Sequence, residues 1–146
     1  MTIFPLSKER IASVIGAISD VHRAEAEAFG LSMEDTAGIF QWHIGEPFSG
    51  VFCHDDGRPF ALVALESVGL LHWRIRFVAT EEAIRSGGLG ITRFLRDISD
   101  KIVSDTKGKI EVLSAPLTEK SRDWIHHMGF RMVKDDGNIG TFLKEG

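Results

Sequence analysis

The stretch from Phe77 to Arg96 constrains the fold more than any other part of the chain. It reads as a β-strand, then the glycine-rich run Arg85-Ser86-Gly87-Gly88-Leu89-Gly90, then an amphipathic helix. Glycine leaves no Cβ between the backbone and a ligand, so such a turn can approach a group closely. The unpaired N–H groups of a helix's first turn, with the helix dipole, attract a negative charge. An R-x-x-G-x-G run at a helix start therefore predicts a cradle for a phosphate or pyrophosphate. A tight structural loop would leave the same trace. The Walker pattern does not apply, because no Gly-Lys-Ser/Thr follows. The dinucleotide fingerprint does not apply either, because its glycine spacing and its alternation of strand and helix are missing.

The rest of the chain gives this turn its context. Thr2–Pro5 is a short candidate strand. Ser7 is placed to cap a helix, with Leu6 and Ile11 as a hydrophobic staple. Ile11, Val14, Ile15, Ile18, Val21 and Phe29 keep a helical stripe that predicts one long helix ending at Gly30. Ser32 with Asp35 resembles a capping box for a second helix through Met33, Ala37, Phe40 and Ile44, closed by Gly45. The period then changes. Gly50–His54 and Pro59–Ser67 flank Asp55-Asp56-Gly57-Arg58, a hairpin signal, and His72–Thr80 alternates as a further strand. Trp73, Ile75, Phe77 and Ala79 share one face of it; His72, Arg74, Arg76 and Val78 share the other.

After the glycine turn, Leu89, Ile91, Phe94, Leu95, Ile98 and Ile102 mark a helix. Lys109–Leu113 is a strand. Thr118 caps a helix whose Trp124, Ile125 and Met128 are expected to face inward, with Gly129 closing it. Phe130–Lys134 and Ile139–Lys144 flank a second hairpin turn, Asp135-Asp136-Gly137-Asn138. The predicted order is β-α-α-β-β-β-α-β-α-β-β. Runs of adjacent strands argue for an α/β (α+β) domain with a mixed, mostly antiparallel sheet of six to seven strands and about four helices on its two faces.

Size and charge bound the function. A chain of 146 residues suits one domain, residues 1–146, with one core. A formal charge of −4 argues against a general nucleic-acid binder, although arginines gather between Arg74 and Arg96. The single cysteine, Cys53, excludes an internal disulfide and fits a reducing compartment. The first residues lack the apolar core of a signal peptide, and no apolar run approaches a membrane span, so a cytoplasmic protein without a membrane partner is expected.

With its elements in this order, the chain resembles the GNAT N-acyltransferase superfamily over nearly its whole length. Arg85-x-x-Gly88-x-Gly90 matches that superfamily's acyl-CoA motif, between the fourth strand and the helix that follows. Trp124-Ile-His-His-Met-Gly129-Phe130 is similar to its late aromatic-Tyr-x-x-x-Gly-Phe segment. The turn between Val78 and Arg85 reads as about two residues longer than the common pattern. The resemblance implies a splay between the fourth and fifth strands that holds acyl-CoA, with acetyl-CoA the expected donor and no metal. Backbone groups of Phe77, Val78 and Ala79 would pair with the pantetheine arm. The N–H groups of Ser86, Gly87, Gly88, Leu89, Gly90 and Ile91 would hold the pyrophosphate. Thr92 and Arg93 would support the phosphates, and Arg85 would stand beside the loop.

The same resemblance implies direct transfer of an acetyl group to a primary amine of unknown identity. The first two helices and the loop around Gly45–Ser49 would wall the acceptor site. Many members of the superfamily protonate the leaving thiolate with a Tyr, where this chain has Ile125; it contains no Tyr at all. His126, His127 or Ser121 could substitute. In place of a carboxylate base on the fourth strand, Glu66 and His72 are the candidates, with strand-end solvent contact as the plain alternative. Arg74 and Arg76 would select an acidic acceptor or line a solvated face. The six histidines lack metal-ligand spacing. Trp42, Trp73 and Trp124 read as core or groove aromatics. Cys53 beside His54 invites a nucleophile reading, against which adjacent strand residues face opposite sides.

The alanine-rich His22–Gly30 segment and Phe77-Val-Ala-Thr-Glu-Glu also resemble small GNAT-like proteins of short-tailed phages. That second resemblance carries a different expectation: a GNAT-fold protein that has lost catalysis and serves as a phage structural, interaction or CoA-binding module, in the host cytoplasm or the virion, with virion proteins as partners. A homodimer is compatible with either reading.

Overall fold

A computed structural model describes residues 2–86 and 89–146, with the side chain of Leu89 outside the described set. Seven strands, β1 (Thr2–Phe4), β2 (Gly50–Cys53), β3 (Pro59–Gly69), β4 (His72–Ala79), β5 (Lys109–Ser114), β6 (Arg131–Asp135) and β7 (Gly140–Glu145), hydrogen-bond in the order β1-β2-β3-β4-β5-β7-β6. The pairs β1/β2, β2/β3, β5/β7 and β6/β7 are antiparallel, and β4/β5 is parallel. Among the described residues six helices accompany them: α1 (Lys8–Gly16), α2 (Asp20–Ala28), α3 (Met33–Trp42), α4 (Glu81–Arg85), α5 (Leu89–Thr106) and α6 (Glu119–His127). Chain contacts divide these elements into two compact units, one of residues 1–66 and 76–88, the other of residues 67–75 and 89–146.

In the first unit, Ser7 caps α1 by accepting the Arg10 N–H at 3.2 Å, and the predicted staple residues Leu6 and Ile11 are both buried. The single long first helix expected from the sequence is instead two. The helical stripe continues through Ile18, but Ile18 leaves the helix and forms an antiparallel bridge with Thr80. Ser19 then restarts a helix as the N-cap of α2. Ser32 and Asp35 form the predicted capping box of α3. Leu6, Ile11, Val14 and Ile18 pack with Phe40, Val51, Leu62, Ala64 and Val78 into one apolar cluster. Each such aliphatic side chain removed from water contributes about 2 kcal/mol. Cys53 lies inside this cluster, and burial raises its thiol pKa, so the nucleophile reading has no support. Trp42, read from sequence as a core or groove aromatic, is 82% exposed and so lies outside the core.

In the second unit, β5 is the antiparallel partner of β7 from Lys109↔Glu145 to Ser114↔Gly140, and β6 follows through the predicted Asp135–Asn138 turn. Gly137 takes a positive φ of 94° there, a conformation that suits glycine. Leu95, Ile102, Val103, Ile110, Ile125, Met128, Phe130 and Phe142 are buried. Buried Lys144 donates to Ser99 Oγ at 2.6 Å and to Asp100 Oδ1 at 2.9 Å, with its ammonium 4.7 Å from the Phe130 ring centroid. Trp124, expected to face inward, is instead 36% exposed, and its indole N–H donates to Thr92 Oγ1 at 2.8 Å.

Candidate functional site

The segment between β4 and α5 carries the motif, and its structure differs from a plain loop. Thr80 caps a short helix, α4, by accepting the Ala83 N–H. The residues that read as an over-long turn are therefore helical, with Glu81 and Glu82 at the favourable N-terminal end. Both carboxylates are used as ties. Glu81 accepts the Asp20 N–H at 3.0 Å, so a carboxylate sits on the first turn of α2. Glu82 receives Arg58 Nη1 at 3.0 Å, and Arg58 also binds Asp56 at 2.7 Å. The β2–β3 turn is thereby joined to α4.

Arg85 is the last residue of α4 and 79% exposed along its side chain, 3.7 Å from Glu81 across one helical turn. Ser86 closes α4, its N–H donating to Glu82 O at 3.1 Å and its hydroxyl to Ala83 O at 3.0 Å. The Ser86 N–H is thus already engaged, which corrects its expected role as a phosphate donor. Gly87 and Gly88 lie outside the described residues. Leu89 and Gly90 open the 18-residue α5, Gly90 exposed and Ile91 and Thr92 buried behind it; Arg93 is exposed.

The end of β4 holds the largest departure from expectation. Ala79 was expected to offer its backbone to a pantetheine arm. Instead its carbonyl accepts the Ser19 N–H at 2.9 Å and its N–H donates to His22 Nδ1 at 3.2 Å. Thr80 N–H meanwhile donates to Phe60 O on β3. Successive strand residues turn their backbone groups to opposite edges, so Ala79 and Phe77 address the edge away from β3. His22 lies edge-on to the Phe77 ring, centroids 5.5 Å apart at 77°. Ser19 Oγ is 2.9 Å from His22 Nδ1 and accepts the His22 N–H as the cap of α2. Burial pushes the His22 pKa down to about 4, while a backbone hydrogen bond with Ala79 and the Glu81 carboxylate pull the other way. Neither Ser19 nor His22 was marked as a site residue from sequence. The available signal was the Ser-x-x-His spacing of a capped helix start.

Among the expected acid–base candidates, Glu66 is paired, whereas the buried His72 Nε2 has no hydrogen-bond partner among the described residues. Glu66 on β3 binds Arg76 on β4 at 2.8 Å. His72 lies 3.8 Å from Glu111 on β5, whose carboxylate Arg74 holds at 2.7 Å. Arg74 and Arg76 are therefore half-buried members of two ion pairs and do not line an open solvated face. His126 is exposed, its ring 5.6 Å from that of Phe142, and His127 is exposed beside it. Ser121 spends its hydroxyl in the capping box with Thr118. Ile125, at the position of the missing Tyr, is buried. Near the expected acceptor wall, Ser49 Oγ reaches the His43 and Glu46 carbonyls at 3.0 and 2.6 Å. Among the described residues no group of three or more His, Cys, Asp or Glu is placed to hold a metal ion, and no helix is long and apolar enough to cross a membrane.

These elements have the fold of the GNAT acetyltransferases. A GNAT-family acetyltransferase from Bacillus anthracis superposes with a TM-score of 0.69 at 11% identity, covering 98% of this chain and 93% of that one. A phosphinothricin acetyltransferase from Sinorhizobium meliloti, solved with acetyl-CoA, gives 0.67 at 10% identity, covering 99% and 87%. A spermidine N-acetyltransferase variant from Vibrio cholerae gives 0.68 at 12% identity, covering 99% and 95%. No protein-family model matches the chain, and no curated protein does.

Proposed function

We propose that this protein is an acyl-CoA-dependent N-acyltransferase, with acetyl-CoA as donor and a primary amine as acceptor. The observation that carries the reading is the R-x-x-G-x-G segment running into the first turn of an 18-residue helix directly after β4 and α4, in a fold whose S. meliloti example holds acetyl-CoA. Gly87, Gly88, Gly90 and the first N–H groups of α5 would hold the pyrophosphate, with Arg85 and Arg93 as exposed positive contacts. Ser86 drops out of that set. The pantetheine arm would pair at Phe77, short of Ala79; the backbone of Val78 faces β3 and drops out of the expected set.

In the reaction the neutral amine attacks the thioester carbon, a C–N bond forms, and the C–S bond breaks to release the thiolate. The amine loses a proton and the thiolate gains one, so no covalent enzyme intermediate is needed. Holding both reactants together supplies much of the rate. The second reading, a GNAT-fold binding module without turnover, is favoured by one observation: the chain has no Tyr, and the matching position is the buried Ile125.

Calorimetry with acetyl-CoA on the wild type and on Gly88→Glu tests the reading. Saturable binding that is lost in the variant supports the cradle, because a carboxylate would stand where the pyrophosphate binds. Thiol release in the presence of amines then separates enzyme from binding module. Absence of binding by the wild type overturns the proposal.

A further inference from the structure

The edge of β4 that faces away from β3 is occupied at its far end by the chain itself. The link between α1 and α2, Ala17 to Ser19, lies against it as a short antiparallel partner. Ser19 N–H donates to Ala79 O at 2.9 Å, and Glu81 N–H donates to Ala17 O at 3.3 Å. Ile18 stands opposite Thr80 between these two bonds. The start of α2 extends the contact. Asp20 N–H donates to Glu81 Oε2 at 3.0 Å, and Ala79 N–H donates to His22 Nδ1 at 3.2 Å. Both polar backbone groups of Ala79 are therefore committed within the chain.

Local chemistry explains why the link takes this place. Ser19, as the N-cap of α2, has the extended backbone of a capping residue (φ −66°, ψ 153°), so it pairs like a strand residue before the helix restarts. The Ile18 side chain is buried in the apolar cluster with Leu6, Ile11, Val14 and Val78, which holds the link down. Burial keeps the His22 ring neutral through the physiological range, so Nδ1 keeps the lone pair that the Ala79 N–H needs. The backbone contact itself is small. A typical hydrogen bond within a protein is worth only about fivefold in an equilibrium.

The place so filled is one that the donor needs. In the acyltransferase reading the pyrophosphate lies at the glycine turn and the pantetheine arm pairs at Phe77. Ala79 and Thr80 lie between those two points along the chain, and Ala79 addresses the same edge as Phe77. An arm laid along a strand edge bonds to the N–H and C=O groups of alternate residues, here Phe77 and Ala79. With the link closed, pairing stops at Phe77, because one edge cannot carry two partners at the same residue.

We propose that the link from Ala17 to Ser19 is an autoinhibitory latch: closed, it fills the donor's place at the end of β4, and acetyl-CoA binds fully only by displacing it. The proposal rests on the acyltransferase reading. On opening, the Ala79 N–H and C=O pass from His22 and Ser19 to the arm, so neither group is left unpaired. His22 leaves the edge with the start of α2 and takes no part in the reaction. Apparent donor affinity is then lowered by the fraction of molecules in which the latch is closed.

The test locks the latch. Ile18 and Thr80 are directly opposite in an antiparallel bridge, where Cα atoms lie about 4.5 Å apart, within the span of a disulfide. In the double variant Ile18→Cys/Thr80→Cys, acetyl-CoA affinity is read by calorimetry before and after reduction. The expected result is binding at least about tenfold weaker in the oxidised form, restored by reduction of the same protein. Equal affinity in the two forms overturns the latch and leaves the acyltransferase reading standing. Tighter binding by the oxidised form also overturns it, since the closed link would then be part of the donor site. Hydrogen exchange on the wild type decides the matter should the double variant not fold. Saturating acetyl-CoA should speed exchange of the Ser19 and Asp20 amides at least about tenfold, and unchanged or slower exchange there overturns the latch. Absence of wild-type binding overturns the acyltransferase reading itself, and calorimetry on the wild type alone distinguishes that failure.

Discussion

Replacing His22 should change how stability depends on pH, and the size of the change follows from its burial. In the folded protein the imidazole pKa lies at about 4, against 6.5 for an ordinary histidine. As pH falls through 6.5 the unfolded chain takes up a proton that the folded chain refuses, so unfolding becomes progressively easier. The loss stops near pH 4, where both states are protonated. Stability from this group is thus complete above about pH 7.5 and lost on acidification, which is the sign expected for a depressed histidine pKa. The total is 2.5 units at about 1.36 kcal/mol each, roughly 3 kcal/mol, of which about 2 kcal/mol is lost by about pH 5.

The assay is urea denaturation of wild type and His22→Asn at about pH 7.5, 6 and 5. Asn does not titrate, and the remaining histidines and carboxylates contribute alike to both proteins. The difference in unfolding free energy between the two should therefore shift by about 2 kcal/mol in favour of the variant between the first and last condition. An additional constant offset is expected from altered packing. Parallel curves would refute the reasoning, because they would mean that His22 protonates as freely folded as unfolded. The bonds from Ala79 N–H and Ser19 Oγ to Nδ1 could not then persist in solution.

Three further outcomes test other parts of the molecule. Glu111→Gln removes the partner that Arg74 holds at 2.7 Å in a largely buried pair, and should cost about 3 kcal/mol in urea denaturation with an unchanged slope. Gly108→Ala would drive a Cβ into the Leu71 carbonyl oxygen and place it 2.8 Å from the Trp73 ring, and should lower stability by about 2 kcal/mol or more, seen as a drop in thermal midpoint. The Cys53 thiol, buried and with its pKa raised, should react with a disulfide reagent at mildly alkaline pH only as fast as the protein unfolds, and at once in denaturant.

What could be read from the sequence was local chemistry. Asp55–Arg58 and Asp135–Asn138 contain their own turn instructions, and the structure gives Gly57 a φ of 87° and Gly137 a φ of 94°. Ser7, Ser32 and Thr118 cap helices as their spacing implied. What could not be read depended on contacts far apart in the chain. Ile18 fits a helical stripe as well as Ile15 does, and only its bridge to Thr80 makes it end α1. Five-residue α4 is too short to show a period, although Thr80 followed by two glutamates was a visible start signal. The Arg74–Glu111 pair depends on the β4–β5 register, in which Arg74 opposes Glu111. Trp42 and Trp124 show the limit of an apolar pattern: hydrophobic residues predict burial, but surfaces also carry them.

These same contacts decide what kind of catalysis the site can support. Glu66 is held by Arg76, Glu111 by Arg74, and the His22 lone pair by the Ala79 N–H. None of the three is left to take a proton from an incoming ammonium. An acyltransferase that draws on these three alone must receive its amine already neutral, and water must carry the proton away. The pH dependence of kcat/KM should accordingly follow the acceptor and not the protein. With two amines of different basicity, the alkaline-rising limb should move with the pKa of each amine. With hydroxylamine, a much weaker base than an alkylamine, the limb should move down to mildly acidic pH. A limb that stays fixed while the amine is changed would reveal a titrating base on the enzyme. In that event the base is either His72, whose Nε2 has no hydrogen-bond partner among the described residues, or a carboxylate released when one of the ion pairs described above opens, and His72→Gln, Glu66→Gln and Glu111→Gln would show which.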